Sequence, residues 1–201
     1  MIDETIDRPV LTPKGARTRA RIVEAAAELI HERGVAGTTL EDVKAAAEVS
    51  GSQMYHYFPD KNELLQAVID YQADTIVSHQ RQVLSGANGV EAWRKFVIAA
   101  AKRTKAKGGC PLGSLVGQLD ESDPETRALI SAGFDKWAAA IGEGLQSLLA
   151  NGKLPSDIDP DDLALTLLAT LEGGLVLGQA LGSSRPIETA VNTFLALAIG
   201  K

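Results

Sequence analysis

Among residues able to carry chemistry, the chain offers three histidines, one cysteine and several adjacent acids. His31, His56 and His79 fall on separate predicted helices without metal-ligand spacing, so no metal site is expected. Neither a phosphate-binding glycine loop nor a dinucleotide fingerprint is present. Glu41-Asp42 and Asp161-Asp162 stand at helix starts, where capping and the helix dipole account for them. What remains is recognition: no enzyme activity and no cofactor is expected. It concentrates in Thr38 to Lys61, TTLEDVKAAAEVSGSQMYHYFPDK. Ser50, Gly51, Ser52 and Gln53 fall at the exposed start of a short helix, the place from which base edges are read. Gln53 can pair with adenine at N6 and N7 or return a hydrogen bond to the cap of its own helix, and both roles stay open. His56 divides between groove contact and surface packing. Thr38 and Thr39 can donate to phosphate through hydroxyl or backbone N–H groups.

Two short helices and a tight turn must position these groups. Thr38 and Glu41 have capping-box spacing for the first, with Leu40, Val43, Ala46 and Ala47 as its apolar face. Ser50 caps the second, about Gly51 to Phe58, with Gln53 completing the box and Val49 and Met54 at staple spacing. Pro59 ends it, and Asp60 caps a long helix running to about Leu84, with Glu63 at the matching position. Upstream, a helix from Gly15 to Arg33 shows an apolar stripe of Ile22, Ala26, Leu29 and Ile30. Its first turns belong to an acid-free run that holds Arg8, Lys14, Arg17, Arg19 and Arg21. Cations at a helix start oppose the dipole, so Arg17 and Arg19 are expected to meet an anion, DNA phosphate. Helix, turn and short exposed helix is a DNA-reading arrangement.

At AEVSGSQMYHYFPDKNELL the chain resembles the TetR family of bacterial transcriptional repressors, over roughly Thr18 to Val77. The resemblance implies phosphate or base contacts for Tyr55 and Tyr57, a phosphate grip for Lys61, and core positions for Phe58 and Met54. It also implies a second, all-helical domain with a ligand pocket and a dimerising face.

The rest of the chain agrees with an all-α fold. Hydrophobic residues make up 45% of the 201, ample for a core, and no strand pattern of any length occurs. The net charge of −6 argues against a general nucleic-acid coat protein, whereas a sequence-specific reader needs only a local basic surface. One cysteine excludes an intramolecular disulfide framework, and the acidic N-terminus lacks the apolar run of a signal peptide. A cytoplasmic protein without a membrane span is expected. Further helices are predicted from about Val90 to Lys105, Leu112 to Leu119, Asp123-Pro124 to about Ala150, Asp159-Pro160 to Leu181, and Pro186 to Ile199, about nine in all. Residues 1–14 read as a flexible arm, 15–77 as a three-helix DNA-binding domain of helix-turn-helix type, and 78–201 as an effector-binding and dimerisation domain. The basic end of the Val90–Lys105 helix, with Lys102, Arg103, Lys105 and Lys107, is explained by the helix dipole.

For the dimer, the resemblance implies the last two long helices. Leu163, Leu167, Leu171 and Leu175 form one stripe, and Gly174 and Gly178 allow close approach; a helix this apolar all round calls for a partner. Trp93, Phe96, Cys110, Leu115, Leu119, Phe134, Trp137 and Ile141 are the expected effector lining. GGCPLGSLVGQL resembles a TetR subgroup that controls drug efflux or detoxifying reductases. The reading that follows is a homodimeric repressor, released from a pseudo-palindromic operator in double-stranded DNA by a small, apolar or aromatic effector. The alternative is a thiol sensor: Cys110 at a helix start near Lys105 and Lys107 should have its thiolate favoured.

Overall fold

The computed structural model describes residues 11–85, 88–118, 123–150, 152, 154 and 159–199. Among these there are nine helices and no strand: α1 (Pro13–Arg33), α2 (Leu40–Ala46), α3 (Gly51–Tyr57), α4 (Lys61–Leu84), α5 (Gly89–Thr104), α6 (Gly113–Val116), α7 (Pro124–Ala150), α8 (Pro160–Leu181) and α9 (Arg185–Ile199). The all-helical expectation holds.

Most starts are where local chemistry puts them. The Ser50 hydroxyl accepts from Gln53 N at 3.2 Å while Gln53 Oε1 accepts from Ser50 N at 3.0 Å, a reciprocal box at the head of α3. Asp60 caps α4 through Glu63 N, and Asp159 caps α8 ahead of Pro160. The cap of α2 is Thr39, not Thr38, and its box partner is Asp42 rather than Glu41. Thr38 instead turns inward, buried, with its hydroxyl donating to the Gly34 carbonyl at 2.9 Å. Ala46, expected on the apolar face, is exposed; Val43 and Ala47 carry that face. The turn into α3 is made by Glu48, whose φ of 51° is left-handed, and Gly51 is an ordinary helical residue. The short helix expected over Leu112 to Leu119 is only Gly113–Val116.

α1, α2 and α3 enclose a small core of Ile22, Ala26, Val43, Met54 and Phe58, closed by Leu64 and Val68 of α4. α4 packs on α1 and also on α5 and α7, so one rod belongs to both halves of the molecule. α7, α8 and α9 complete the C-terminal bundle.

α8 corrects the expected dimer face. Leu163, Leu167 and Leu171 are buried within the protomer, and Leu175 is half-buried against the same core. A Cβ on Gly174 would stand 2.8 Å from the Ile187 Cα of α9, and one on Gly178 would stand 2.8 Å from the Ala106 Cβ. Both glycines therefore serve contacts inside one chain. The unpartnered apolar face is the other side, with Leu165, Val176, Leu177 and Leu181 on α8 and Leu197 on α9. By length and hydropathy α8 could cross a bilayer, but its packing between α7 and α9 accounts for its composition.

One half-buried carboxyl on α8 is drawn into the protein. Glu172 lies against Cys110 and Gly113, and a Cβ on Gly113 would come within 2.3 Å of Glu172 Oε2. Its Oε1 is buried without a hydrogen-bond partner. Burial pushes the carboxyl above the ordinary glutamate value. A carboxyl raised in the folded state favours folding while protonated, and that contribution is lost as pH rises from the ordinary carboxylate range through the folded value. Glu172→Gln should therefore flatten this decline, raising the melting temperature at pH 8 by about 2–4 °C, the shift that about 1 kcal/mol makes in a chain of this size. At pH 4 the variant and the parent should melt together; thermal denaturation across the pH series checks both.

Candidate nucleic-acid interface and effector cavity

The predicted reading residues are brought together at one end of the molecule, but not all are available there. Arg17 is exposed on α1. Arg19 is not free in the same way: its guanidinium lies 5.0 Å from the centroid of the Phe58 ring and ties α1 to the end of α3. Thr38 has both donors used inside the fold, the hydroxyl on Gly34 O and the N–H on Val35 O at 3.4 Å, which removes it from the interface. Thr39 is exposed, yet its hydroxyl donates to the Asp42 carboxylate at 2.5 Å and its N–H donates there at 2.9 Å. Those bonds hold the Asp42 carboxyl below its ordinary range.

On α3, Ser52, Gln53, Tyr55 and His56 are exposed, and a side chain at Gly51 would meet nothing within 4 Å. The Ser52 hydroxyl lies 3.0 Å from that of Ser50. Tyr55 is 52% exposed, a large accessible aromatic on the reading surface. Tyr57 faces inward: it is half-buried, packs edge-on with His56, and its hydroxyl reaches the start of α1 beside Gly15. Phe58 and Met54 are core, as the resemblance implies. Lys61 is half-buried and its Nζ donates to the Val35 carbonyl at 2.5 Å. An ammonium has three donors, so this bond leaves two for a phosphate.

The Val35 peptide is held from its other side as well. Its N–H donates to Gln118 Oε1 at 2.7 Å, and Gln118 Nε2 donates back to Ser114 O of α6 at 2.8 Å. A continuous chain of hydrogen bonds thus runs from α6 through the α1–α2 loop to the head of α4. Sequence reasoning missed it, because Gln118 and Val35 are 83 positions apart and neither belongs to a motif.

The loop before α6 forms one wall of a cavity of about 250 Å³ between α1, α4, α5, α7, α8 and α9. Of the expected lining, Phe96, Cys110 and Trp137 are there. Trp93 is wholly buried behind it, donating through Nε1 to Gln80 Oε1. Leu115 and Ile141 are closed core, and Phe134 stacks on Trp137 at 6.4 Å instead of lining the space. Leu119 lies outside the described residues. Sequence reasoning missed His31, Gln80, Arg103, Lys107, Leu171 and Ile187, which reach the cavity from separate helices or the α5–α6 loop. The backbone of that loop is unusual: Lys105, Ala106, Gly108 and Gly109 all have positive φ, and the Gly108 backbone presses against the His31 ring.

Cys110 does not fit the thiol-sensor alternative. It is buried, its sulfur accepts from Gly113 N at 3.3 Å, and the Glu172 carboxyl stands beside it. Burial first, then the neighbouring Glu172 charge, push the thiol well above its ordinary value, so the reactive thiolate is suppressed rather than favoured.

Comparison with known proteins agrees with this architecture. Residues 22–68 match the family model described as bacterial regulatory proteins, tetR family, and residues 86–194 match that of the tetracyclin repressor-like C-terminal domain. An uncharacterized HTH-type transcriptional regulator of Mycobacterium tuberculosis H37Rv is 29% identical over 179 residues, covering 85% of this chain and 88% of its own. The HTH-type transcriptional repressor DhaR of Mycobacterium sp. GP1 is 26% identical over 180 residues, covering 86% and 89%. Among solved structures, a TetR transcriptional regulator from Chloroflexus aurantiacus superposes with a TM-score of 0.77 at 29% identity, over 92% of this chain and 97% of that one. The reduced form of Escherichia coli NemR shares the fold, with a TM-score of 0.81 at 20% identity over 90% and 98%. With both halves matched in order, the chain belongs to the TetR family of helix-turn-helix transcriptional regulators.

Proposed function

We propose that this protein is a homodimeric repressor that holds a pseudo-palindromic operator through two α2–α3 units and releases it when a small molecule occupies the C-terminal cavity. The observation that carries the reading is the hydrogen-bonded chain Ser114–Gln118–Val35–Lys61, which joins the segment beside the cavity to the head of the reading unit. His31 supports it from the other direction, since it lines the cavity on the last turn of α1, four residues before Val35. An occupant that shifts either wall acts on the α1–α2 loop. Because two major grooves on one face of DNA lie about 34 Å apart, a few ångströms of movement spoil simultaneous docking. The effector's power is limited to its differential affinity for the two arrangements.

In this reading the DNA contacts are made by Arg17, Ser52, Gln53, Tyr55, His56 and Lys61, with Arg19 and Tyr57 holding α1 against α3. The dimer forms through the exposed apolar side of α8 and α9, where a groove runs past Ala169, Gly173, Leu177 and Leu181. Gly173 has open space over its Cα and admits a close neighbour. The place of work is the cytoplasm, where the operator is.

Operator binding is tested with DNA from upstream of the protein's own gene, and with sites selected from random sequence, over a salt series. Lys61→Ala should bind more weakly, with the magnitude of the log–log salt slope reduced by about 1, as for one lost phosphate contact. Weaker binding at an unchanged slope would leave Lys61 only as the tie to Val35. Gln118→Ala should keep operator affinity within about threefold yet lose most of its response to an effector, since coupling energies are on the order of 1–3 kcal/mol. Leu177→Asp places a charge on the proposed interface. It should shift the protein to monomer in sedimentation and weaken full-operator binding by at least about tenfold, because each half-site then acts alone.

A further inference from the structure

We propose that the cavity takes a small organic anion, a carboxylate on an apolar body, with Arg103 and Lys107 facing the charge and the indole N–H of Trp137 donating to an acceptor. This rests on the cavity being the effector site and adds the chemical class of the effector.

Three observations converge. First, charge is one-sided. Arg103 and Lys107 line the cavity, and no carboxylate does. Nearby, Lys102 pairs with Glu188 at 2.8 Å and Arg94 with Glu91 at 2.7 Å, off the cavity. Arg103 and Lys107 have no ion-pair partner among the described residues. Helix-dipole compensation explains basic residues at the end of α5 but not why these two border the cavity unpaired. The nearest acid, Glu172, stands beside Cys110 and Gly113 and does not line the cavity.

Second, Trp137 is 3% exposed, lines the cavity, and its Nε1–H is buried with no hydrogen-bond partner. An indole nitrogen only donates, and an unmatched buried donor costs about 1–3 kcal/mol. A ligand acceptor removes that cost. Third, the remaining wall is apolar, with Phe96, Val97, Leu171 and Leu175, and its volume of about 250 Å³ admits only a small body. A carboxylate on a short alkyl or aryl group is acceptor-only at one end and apolar at the other, which matches all three. A cation or a donor-only ligand leaves the first two unmet.

The test titrates the full-length protein, at constant ionic strength, with matched acids and primary amides: butyrate and butyramide, hexanoate and hexanamide, phenylacetate and phenylacetamide. Calorimetry and tryptophan fluorescence report binding. At least one acid should bind about tenfold or more tightly than its amide. Arg103→Gln and Lys107→Gln, both surface changes that leave the fold intact, should each weaken that acid by about tenfold and its amide by less than about twofold. Trp137→Phe should weaken acid and amide alike, because both carry an acceptor. Equal affinity of acids and amides overturns the proposal while leaving the cavity a ligand site. Binding of neither class also overturns it; a parallel operator-release screen with neutral aromatics then decides the broader reading, which fails as well if nothing releases the DNA.

Discussion

The peptide of Val35 is the point on which both halves of this molecule bear. Its N–H is held by Gln118 from the C-terminal bundle, and its carbonyl by Lys61 at the head of α4. Hydrogen bonds to a charged group contribute about 1.5–3 kcal/mol, more than a neutral pair. Four residues later Thr39 opens α2, so the placement of the reading unit inherits the placement of this one peptide. The other link is α4 itself, which packs on α1 at one end and on α7 along the bundle. A stiff rod and a short tie therefore act in parallel, and neither half can turn far without disturbing both.

α8 shows how much one apolar helix can be asked to do. Its leucine stripe builds the bundle core, its glycines let α9 and the α5–α6 loop approach, and Glu172 reaches Cys110. What is left over, Leu165, Val176, Leu177 and Leu181, is exposed. A periodic stripe says that a face is buried but not against what. Here the stripe that looked like an interface is internal, and the residues between its members are the unpartnered ones.

Legibility in the sequence follows the range of the interaction. Caps are local, so Ser50 with Gln53, Asp60 before α4 and Asp159-Pro160 before α8 could be read directly. Thr38 and Thr39 expose the limit of that rule. Each has an acid three residues on, Glu41 and Asp42, and only the burial of Thr38 decides between them. In the cavity, Phe96, Cys110 and Trp137 were legible as large or chemically distinctive residues in the right half of the chain. His31 and Arg103 were not, because a wall assembled from separate helices leaves no pattern in any one of them. Cys110 failed in an instructive way: lysines stand three and five positions before it in sequence, but its neighbour in space is the Glu172 carboxyl.

The capping box of α3 has a consequence for discrimination. Gln53 Oε1 already accepts from the Ser50 N–H, so under the proposed reading a grip on adenine with both ends of its amide would compete with the cap. An N-cap interaction is worth about 1 kcal/mol, and a good bidentate base contact about 1–3 kcal/mol. Under that reading the gain at a correct base would be reduced by the cost of weakening the cap, while at a wrong base the cap would stay in place. If Gln53 is a base reader, as proposed, such a side chain would act as a threshold, favouring a partner that offers two hydrogen bonds.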